Sequence, residues 1–268
     1  METEPQQLSS RRKTAIYVII AFFSAFILYY TIMSLLSPAT KIASINNEFG
    51  YKQPENKKAA PDARIFSDSA FVRLNREKAF YQARILMAET DSISLVLNLP
   101  DSLATLEING ATVHKAKITH KRISKIFRKA DEYAISSLLS APFTVRNNFS
   151  TIKKEPVMIK MAPKDTSEYK PDILPDTTSS EPVNYMMETE NGFRLYVYQD
   201  TGEKSGGAIS RFLFDISDRF KNTWDIIKSI FVLKVPEYHP SIRIRMKKAD
   251  AKIIFRALPR HGQIVVYR

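Results

Sequence analysis

The stretch that decides the fold is the end of the chain, Tyr238-His-Pro-Ser-Ile-Arg-Ile-Arg-Met-Lys-Lys-Ala-Asp-Ala-Lys-Ile-Ile-Phe-Arg-Ala-Leu-Pro259, followed by Gln263-Ile-Val-Val-Tyr267. Apolar residues alternate with basic ones over 242–247, which is the period of a half-buried strand. Over 251–258 the apolar residues recur at helical spacing, and Pro259 then stops the helix. The tail is therefore predicted to fold as a strand, a helix and a second strand.

A second patterned stretch, residues 92–118, predicts paired strands. Leucines alternate with other residues over 95–99, and Pro100-Asp101 marks a turn. A further alternation follows and ends at Asn109-Gly110, the residue pair most typical of a tight hairpin. The stretch is therefore predicted to form consecutive hairpins.

Together the two stretches resemble the L,D-transpeptidase (YkuD-type) catalytic domain. The tail is similar to the end of that domain, where the motif S-H-G-C-[IV]-R-[ML] precedes x-x-x-D-A, and residues 92–118 are similar to its opening hairpins. The resemblance is confined to residues 92–118 and 242–267. It implies a mainly β fold with flanking helices, an L,D-transpeptidase-like β-sandwich.

The same resemblance implies that the catalytic motif is lost. The cysteine of the motif falls at Arg243, its histidine at Ser241, its glycine at Ile242 and its serine at Pro240, and the chain contains no cysteine. The acyl transfer of the family needs a thiolate nucleophile. A guanidinium stays protonated and cannot replace it, so the expectation is a pseudoenzyme with no catalytic residue.

Four residues of the tail are candidate ligand-binding residues, namely His239, Ser241, Arg243 and Arg245. The two arginines suit the carboxylates of a wall stem peptide or of a protein partner. In the alternative interpretation they only form the solvent face of a strand. The neighbouring Ser241 and His239 leave open an active cell-wall enzyme with a non-cysteine nucleophile, although no orienting acid is evident.

An apolar run near the amino end predicts a membrane-spanning helix over residues 14–37. No charged residue occurs over 14–40, which exceeds the roughly 20 residues that cross a hydrocarbon core. Three basic residues at 11–13 precede the run, so residues 1–13 are predicted to form a cytoplasmic tail. A cleaved signal peptide is the competing interpretation, because Ser37-Pro-Ala39 is a small-x-small site.

The rest of the chain is predicted to lie outside the cytoplasm. A large exported domain without cysteines is typical of the bacterial periplasm, so the expected location is the inner membrane with a periplasmic domain. The formal net charge is +12. Because this location puts nucleic acid out of reach, the excess charge favours the membrane surface, peptidoglycan or another envelope protein as partner.

The sequence predicts no cofactor and no metal. The four histidines are separated, and none shows the spacing of a metal site. The seven glycines form no phosphate-binding loop. The resemblance, with its catalytic motif lost, implies a peptidoglycan- or partner-binding module. The alternative is a structural subunit of a division, wall-synthesis or secretion complex.

Behind the anchor, residues 38–66 are predicted to be a polar linker and 67–90 a helical neck. An apolar seam along this neck is expected to pack on the domain or, alternatively, on a second copy of the chain. The seam consists of Phe71, Leu74, Tyr81, Ile85 and Ala88.

The predicted extracytoplasmic domain covers residues 91–268. It should contain a basic surface helix over 120–130, a flexible insertion at about 163–183, a hairpin over 184–197 and an amphipathic helix over 210–231.

Overall fold

The computed structural model describes residues 10–52, 68–154, 181–200, 207–232 and 234–268. The chain divides into two compact units. One unit comprises Met1–Lys41 and Arg219–Tyr238, and the other comprises Ile42–Asp218 and His239–Arg268. We call the second one the barrel unit.

Helix α1 (Ser10–Phe49) is a continuous helix of 40 residues, about 60 Å long. It is long and apolar enough to cross a membrane, with a mean hydropathy of 2.2 in its most apolar window. The linker predicted from residue 38 is helical as far as Phe49, and Pro38 lies inside the helix. Tertiary contacts favour this extension, because Ile45 is buried and the Asn46 side chain accepts a hydrogen bond from the Asp131 amide.

In the described residues, eight strands form the core of the barrel unit. They are β1 (Ser94–Asn98), β2 (Leu103–Ile108), β3 (Ala111–Ile123), β4 (Phe143–Ser150), β5 (Asn184–Thr189), β6 (Arg194–Gln199), β7 (Ser241–Met246) and β8 (Gln263–Tyr267). The mainly β class with flanking helices is confirmed. The strands close into one barrel in the order β1-β2-β3-β7-β6-β5-β4-β8, whereas the sequence predicted a sandwich. Closure follows because β8 pairs with β1 on one side and with β4 on the other.

The two stretches that were read from the sequence lie in one sheet. Strand β1 pairs in parallel with β8, with Leu95 opposite Ile264, and β3 pairs antiparallel with β7. The hairpin between β2 and β3 turns at Asn109 and Gly110, whose φ angles are 50° and 78°. Glycine tolerates such a positive φ without strain, which explains the predicted Asn-Gly turn.

Helix α6 (Lys248–Ala257) joins β7 to β8 and packs against the barrel, as the tail pattern predicted. Its Ala251, Ile254 and Phe255 are buried. The Phe255 ring lies 4.8 Å from the ring of Tyr185 on β5, centroid to centroid. Both aromatic side chains are almost completely buried, so this pair is part of the barrel core.

Helix α2 (Ser69–Ala88) corresponds to the predicted helical neck, with Asp68 as its amino-terminal cap. Its buried face is Ala79, Ala83 and Met87, and this face packs on β1 and β8. Small alanines let a helix approach a sheet closely. The prediction that the seam packs on the domain is therefore wrong, because Leu74, Tyr81 and Ile85 are exposed. Its packing on a second copy of the chain stays a prediction.

The predicted basic helix over 120–130 is also wrong. Residues up to Ile123 belong to β3, where they pair with β7, and only the short helix α3 (Ile126–Lys129) follows. Helix α4 (Glu132–Leu138) comes next. Long-range pairing with β7 therefore overrides the helical spacing of the local sequence.

Helix α5 (Gly207–Phe231) confirms the predicted amphipathic helix, and β5 with β6 confirms the predicted hairpin. Within the barrel unit, Phe214 of α5 packs on a cluster with Met186, Tyr196 and Tyr198. The insertion predicted at about 163–183 lies largely outside the described residues, as do residues 53–66 of the predicted linker.

Candidate functional site

Strand β7 presents two different faces. Ile242, Ile244 and Met246 are buried, and the residues between them are half-exposed. Successive side chains of a strand point to opposite sides of the sheet, so Arg243 and Arg245 lie on the outer face of the barrel. The alternation predicted from the sequence is thus observed.

Pairing across the sheet adds a third arginine to this outer face. Arg122 of β3 lies directly opposite Arg243, and His120 lies opposite Arg245. Residues directly opposite on antiparallel strands share a face and lie side by side. We call Arg122, Arg243 and Arg245 the arginine face.

The other neighbour of the arginine face is aromatic. Tyr196 and Tyr198 of β6 lie opposite Arg243 and Arg245 in the parallel register. The guanidinium carbon of Arg243 lies 4.9 Å from the centre of the Tyr196 ring. This is a cation–π contact, which fixes the guanidinium plane without using its N–H donors.

Within the described part of the chain, the arginine face makes no salt bridge. Among the described residues, no carboxylate lies within salt-bridge distance of Arg122, Arg243 or Arg245. Like charges directly opposite each other on a sheet are unfavourable, by roughly 0.2–1 kcal/mol per pair. An external carboxylate would relieve this repulsion and accept two parallel N–H donors from one guanidinium.

Two aspartates of α5 hold the tyrosines in place. The Tyr196 hydroxyl donates to Asp218 and the Tyr198 hydroxyl donates to Asp215, each over 2.8 Å. Burial, followed by the charge of Asp218, raises the pKa of Tyr196 to about 12. Burial and the hydrogen bond to Asp215 also raise the pKa of Tyr198. Both phenols are therefore neutral donors at physiological pH, and both are hydrogen-bonded to α5 beside Arg243 and Arg245.

A buried arginine extends this polar layer along β6. Arg194 donates from Nε and Nη2 to Glu188 Oε1, over 3.1 and 2.9 Å. Burial acts to lower the pKa of Arg194, but the hydrogen bond and the charge of Glu188 outweigh it, so the pKa lies above its ordinary value. This ion pair is satisfied within the protein and stabilises the hairpin.

The other two predicted site residues lie at the start of β7. His239 Nδ1 is 3.0 Å from the Gly192 carbonyl oxygen and 3.7 Å from Glu188 Oε1. The Ser241 carbonyl accepts from the Ser124 amide, and in the described part of the chain the Ser241 hydroxyl makes no hydrogen bond to His239. A serine activated by this histidine is not formed here.

A second charged cluster lies between α2, α4 and the end of β8. Glu132 accepts from Arg76 over 2.8 Å and from Arg268 over 2.6 and 2.7 Å. Burial and the nearby Arg76 lower the pKa of Arg268, while Glu132 opposes the shift. These three residues form a structural ion-pair network that ties α2 and α4 to the barrel.

The ranges that the structure describes contain no group of three His, Cys, Asp or Glu side chains suited to a metal ion. His114 instead contacts Asp250, with Nε2 and Oδ1 3.1 Å apart.

Sequence reasoning placed Arg243 and Arg245 correctly on one face but missed the residues that complete it. Arg122 lies in a segment that was predicted to be helical, so its position opposite Arg243 was not predicted. The sequence contains two signals for the tyrosines and their partners. One is the alternation in the segment Arg-Leu-Tyr-Val-Tyr over 194–198, and the other is the three-residue spacing of Asp215 and Asp218. Such spacing places two side chains on one side of a helix.

Comparison with known proteins identifies no matching family model, no similar curated protein and no similar solved structure. The function must therefore be inferred from the geometry of this chain's own residues.

Proposed function

We propose that this protein is a single-pass, membrane-anchored envelope protein whose barrel binds carboxylate groups through the arginine face and carries no catalytic activity. The ligands would be carboxylates of peptidoglycan stem peptides or of an acidic envelope partner. The arginine face carries the proposal, because it combines three cations that have no carboxylate partner among the described residues with an aromatic support that is hydrogen-bonded to α5. Such preorganisation favours binding, because little side-chain freedom is lost on contact.

The anchor is supported by α1. This helix has the length and the hydropathy of a membrane span, and basic residues precede its apolar part at 11–13. By the positive-inside rule, the barrel would then lie outside the cytoplasm, in the bacterial periplasm. There the carboxylates of the cell wall would be within its reach.

The proposed kinship with L,D-transpeptidases is supported by the placement of the matching strands. Residues 92–118 and 242–267 contribute to the same closed sheet, as that resemblance requires. Arg243 stands at the motif's cysteine position, and the chain has no cysteine elsewhere. A scaffold that once bound wall peptides would thus keep a ligand surface while its nucleophile is replaced by a cation.

Co-sedimentation of the full-length protein with purified peptidoglycan tests the binding. We expect Arg243→Gln to weaken retention about 10–100-fold, because a charge-assisted hydrogen bond contributes about 1.5–3 kcal/mol. Arg122→Gln should weaken it similarly. Added salt should reduce wild-type retention, since the contact is ionic and exposed.

Arg73→Gln is the matched control, because it removes the same charge from an exposed position on α2. Equal losses for Arg73→Gln and Arg243→Gln would show binding by net charge alone and would contradict a specific face. If the wall retains no protein and one membrane protein co-purifies instead, the chain is a structural subunit of an envelope complex.

The absence of catalysis is tested separately with purified muropeptides. We expect no change in cross-links and no release of free D-alanine, because the Ser241 hydroxyl has no activating partner in the described residues. Turnover by the wild type that Ser241→Ala abolishes would establish an active enzyme with a serine nucleophile.

A further inference from the structure

The outward side chains of β3 extend the arginine face along the barrel. Lys115 and Lys117 are exposed, whereas the alternating Ala116 and Ile118 are buried. A bulge between Ile118 and His120 shifts the register, and the exposed residues then continue opposite β7. The outer faces of β3 and β7 thus share one row of five cationic side chains and a histidine, all within the barrel unit. We call this row the basic stripe; its members are Lys115, Lys117, His120, Arg122, Arg243 and Arg245.

The basic stripe is two strands wide and has a neutral border. On the β2 side it borders the uncharged Leu103 and Thr105, which pair with its two lysines. Strand β2 carries one carboxylate, Glu107, and Arg84 of α2 binds it over 3.0 Å. Among the described residues, no member of the stripe lies within salt-bridge distance of a carboxylate. The stripe is therefore an exposed concentration of positive charge, which complements an anionic ligand.

The cations of the stripe have a regular spacing. Alternate residues of a strand project to the same side, about 6.6–6.8 Å apart, and neighbouring strands lie about 4.8 Å apart. This spacing separates Lys115 from Lys117 and Arg243 from Arg245. From Lys115 to Arg122 the strand spans at most about 24 Å. One carboxylate can contact one or two of these cations, so a ligand that pairs with most of them must carry several carboxylates in a row.

An extended polypeptide has the same spacing as the stripe. Acidic residues at alternate positions of such a segment project to one side, also about 6.6–6.8 Å apart, so successive carboxylates can meet successive cations. Each described strand of the closed barrel pairs on both sides. The segment would therefore lie across the outer face and bind through its side chains, because it cannot join the sheet at a free edge.

We propose that the basic stripe binds an extended acidic segment of a partner protein, with glutamate or aspartate at alternate positions. The inference rests on the proposed function, because the arginine face is part of the stripe, and it specifies the partner. Arg122 and Arg243 can each donate two parallel N–H groups to one carboxylate, whereas the lysines act as point charges. Exposed ion pairs are individually weak, so recognition depends on their number and spacing.

Two labelled peptides of equal charge test the spacing. One alternates four glutamates with four threonines, and the other carries the same residues as two blocks. When extended, the alternating peptide presents four glutamates on one side and the block peptide presents two. Fluorescence anisotropy with the full-length protein in neutral detergent micelles measures both affinities. We expect the alternating peptide to bind about 4- to 25-fold more tightly, because each of two extra exposed pairs contributes about two- to fivefold.

A double variant, Lys115→Gln with Lys117→Gln, tests the part of the stripe that lies beyond the arginine face. We expect it to weaken binding of the alternating peptide by about 4- to 25-fold. The matched control, Arg73→Gln with Lys78→Gln, removes two charges from exposed positions of α2 and should change the affinity less than twofold. The comparison of the two peptides uses the wild type alone and does not depend on the folding of any variant.

Equal affinities for the two peptides, or equal losses in the two double variants, would show attraction by net charge and overturn the inference. If neither peptide binds while peptidoglycan retention still depends on Arg243, the inference fails and the proposed function stands. If peptides and peptidoglycan both fail to bind, the two fall together. A soluble muropeptide that binds as tightly as the alternating peptide would identify the wall as the ligand and exclude the need for an acidic protein segment.

Discussion

Replacing tyrosine by phenylalanine should have opposite effects on stability at two positions of the barrel. Tyr185 is completely buried, and its hydroxyl has no hydrogen-bond partner among the described residues. Burial raises the pKa of this phenol, so the hydroxyl stays neutral and uncompensated. By contrast, the buried Tyr196 hydroxyl donates to Asp218, which is only 6% exposed.

The expected magnitudes follow from these environments. Burying a hydroxyl without a partner costs about 1–3 kcal/mol, and the void left by one oxygen, about 10 Å³, costs only about 0.2 kcal/mol. Tyr185→Phe should therefore raise the free energy of unfolding by about 1–2 kcal/mol. Tyr196→Phe should lower it by about 1.5–3 kcal/mol, because a buried carboxylate loses a donor.

Urea unfolding of the full-length protein in detergent micelles, followed by circular dichroism, measures both changes. The two variants delete the same atom from the same residue type, so each is the control for the other. If Tyr185→Phe destabilises the protein as much as Tyr196→Phe, the Tyr185 hydroxyl has a partner inside the barrel, and the reasoning is refuted.

Three further results are expected. Folding raises the pKa of Tyr196 to about 12, so the contribution of this neutral phenol to the free energy of unfolding is complete below about pH 10 and is lost as the pH rises through 12. Alkaline titration followed by circular dichroism should show this loss of stability. A flat profile would contradict the expectation. Glu132→Gln should lower the free energy of unfolding by about 1–2 kcal/mol, since Arg76 and Arg268 lose their shared carboxylate. An unchanged urea midpoint would show that solvent screens this network. Gly110→Ala should cost about 1 kcal/mol, because φ is 78° there, and equal stability by urea unfolding would argue against this turn geometry.

Much of the barrel follows from local patterns. The alternation over 242–247, the helical spacing over 251–258 and the Asn109-Gly110 turn each describe neighbours in the chain, and each is observed. Steric and hydrophobic preferences of adjacent residues act over a few positions, so a single sequence contains this information.

The predictions that were wrong concern segments whose structure depends on contacts with residues far away in the chain. The basic stretch at 120–123 has helical spacing, yet pairing with β7 makes it a strand. The large apolar residues of α2 predicted a seam, but its alanines contact the barrel, since they let the helix approach closely. Local propensity is weaker than long-range pairing and packing, so it does not determine the structure of either segment.

The sequence by itself determined the apolar run of α1, the strand and helix periods of the tail, and the absence of cysteine. Only the tertiary structure decided that the strands close into a barrel, that Arg122 lies beside Arg243, and that the α5 aspartates bind tyrosines of β6. The physical reason is that periodicity is fixed by neighbouring residues. Register, closure and charge pairing depend on contacts between segments far apart in the chain, and many such arrangements are compatible with the same local pattern.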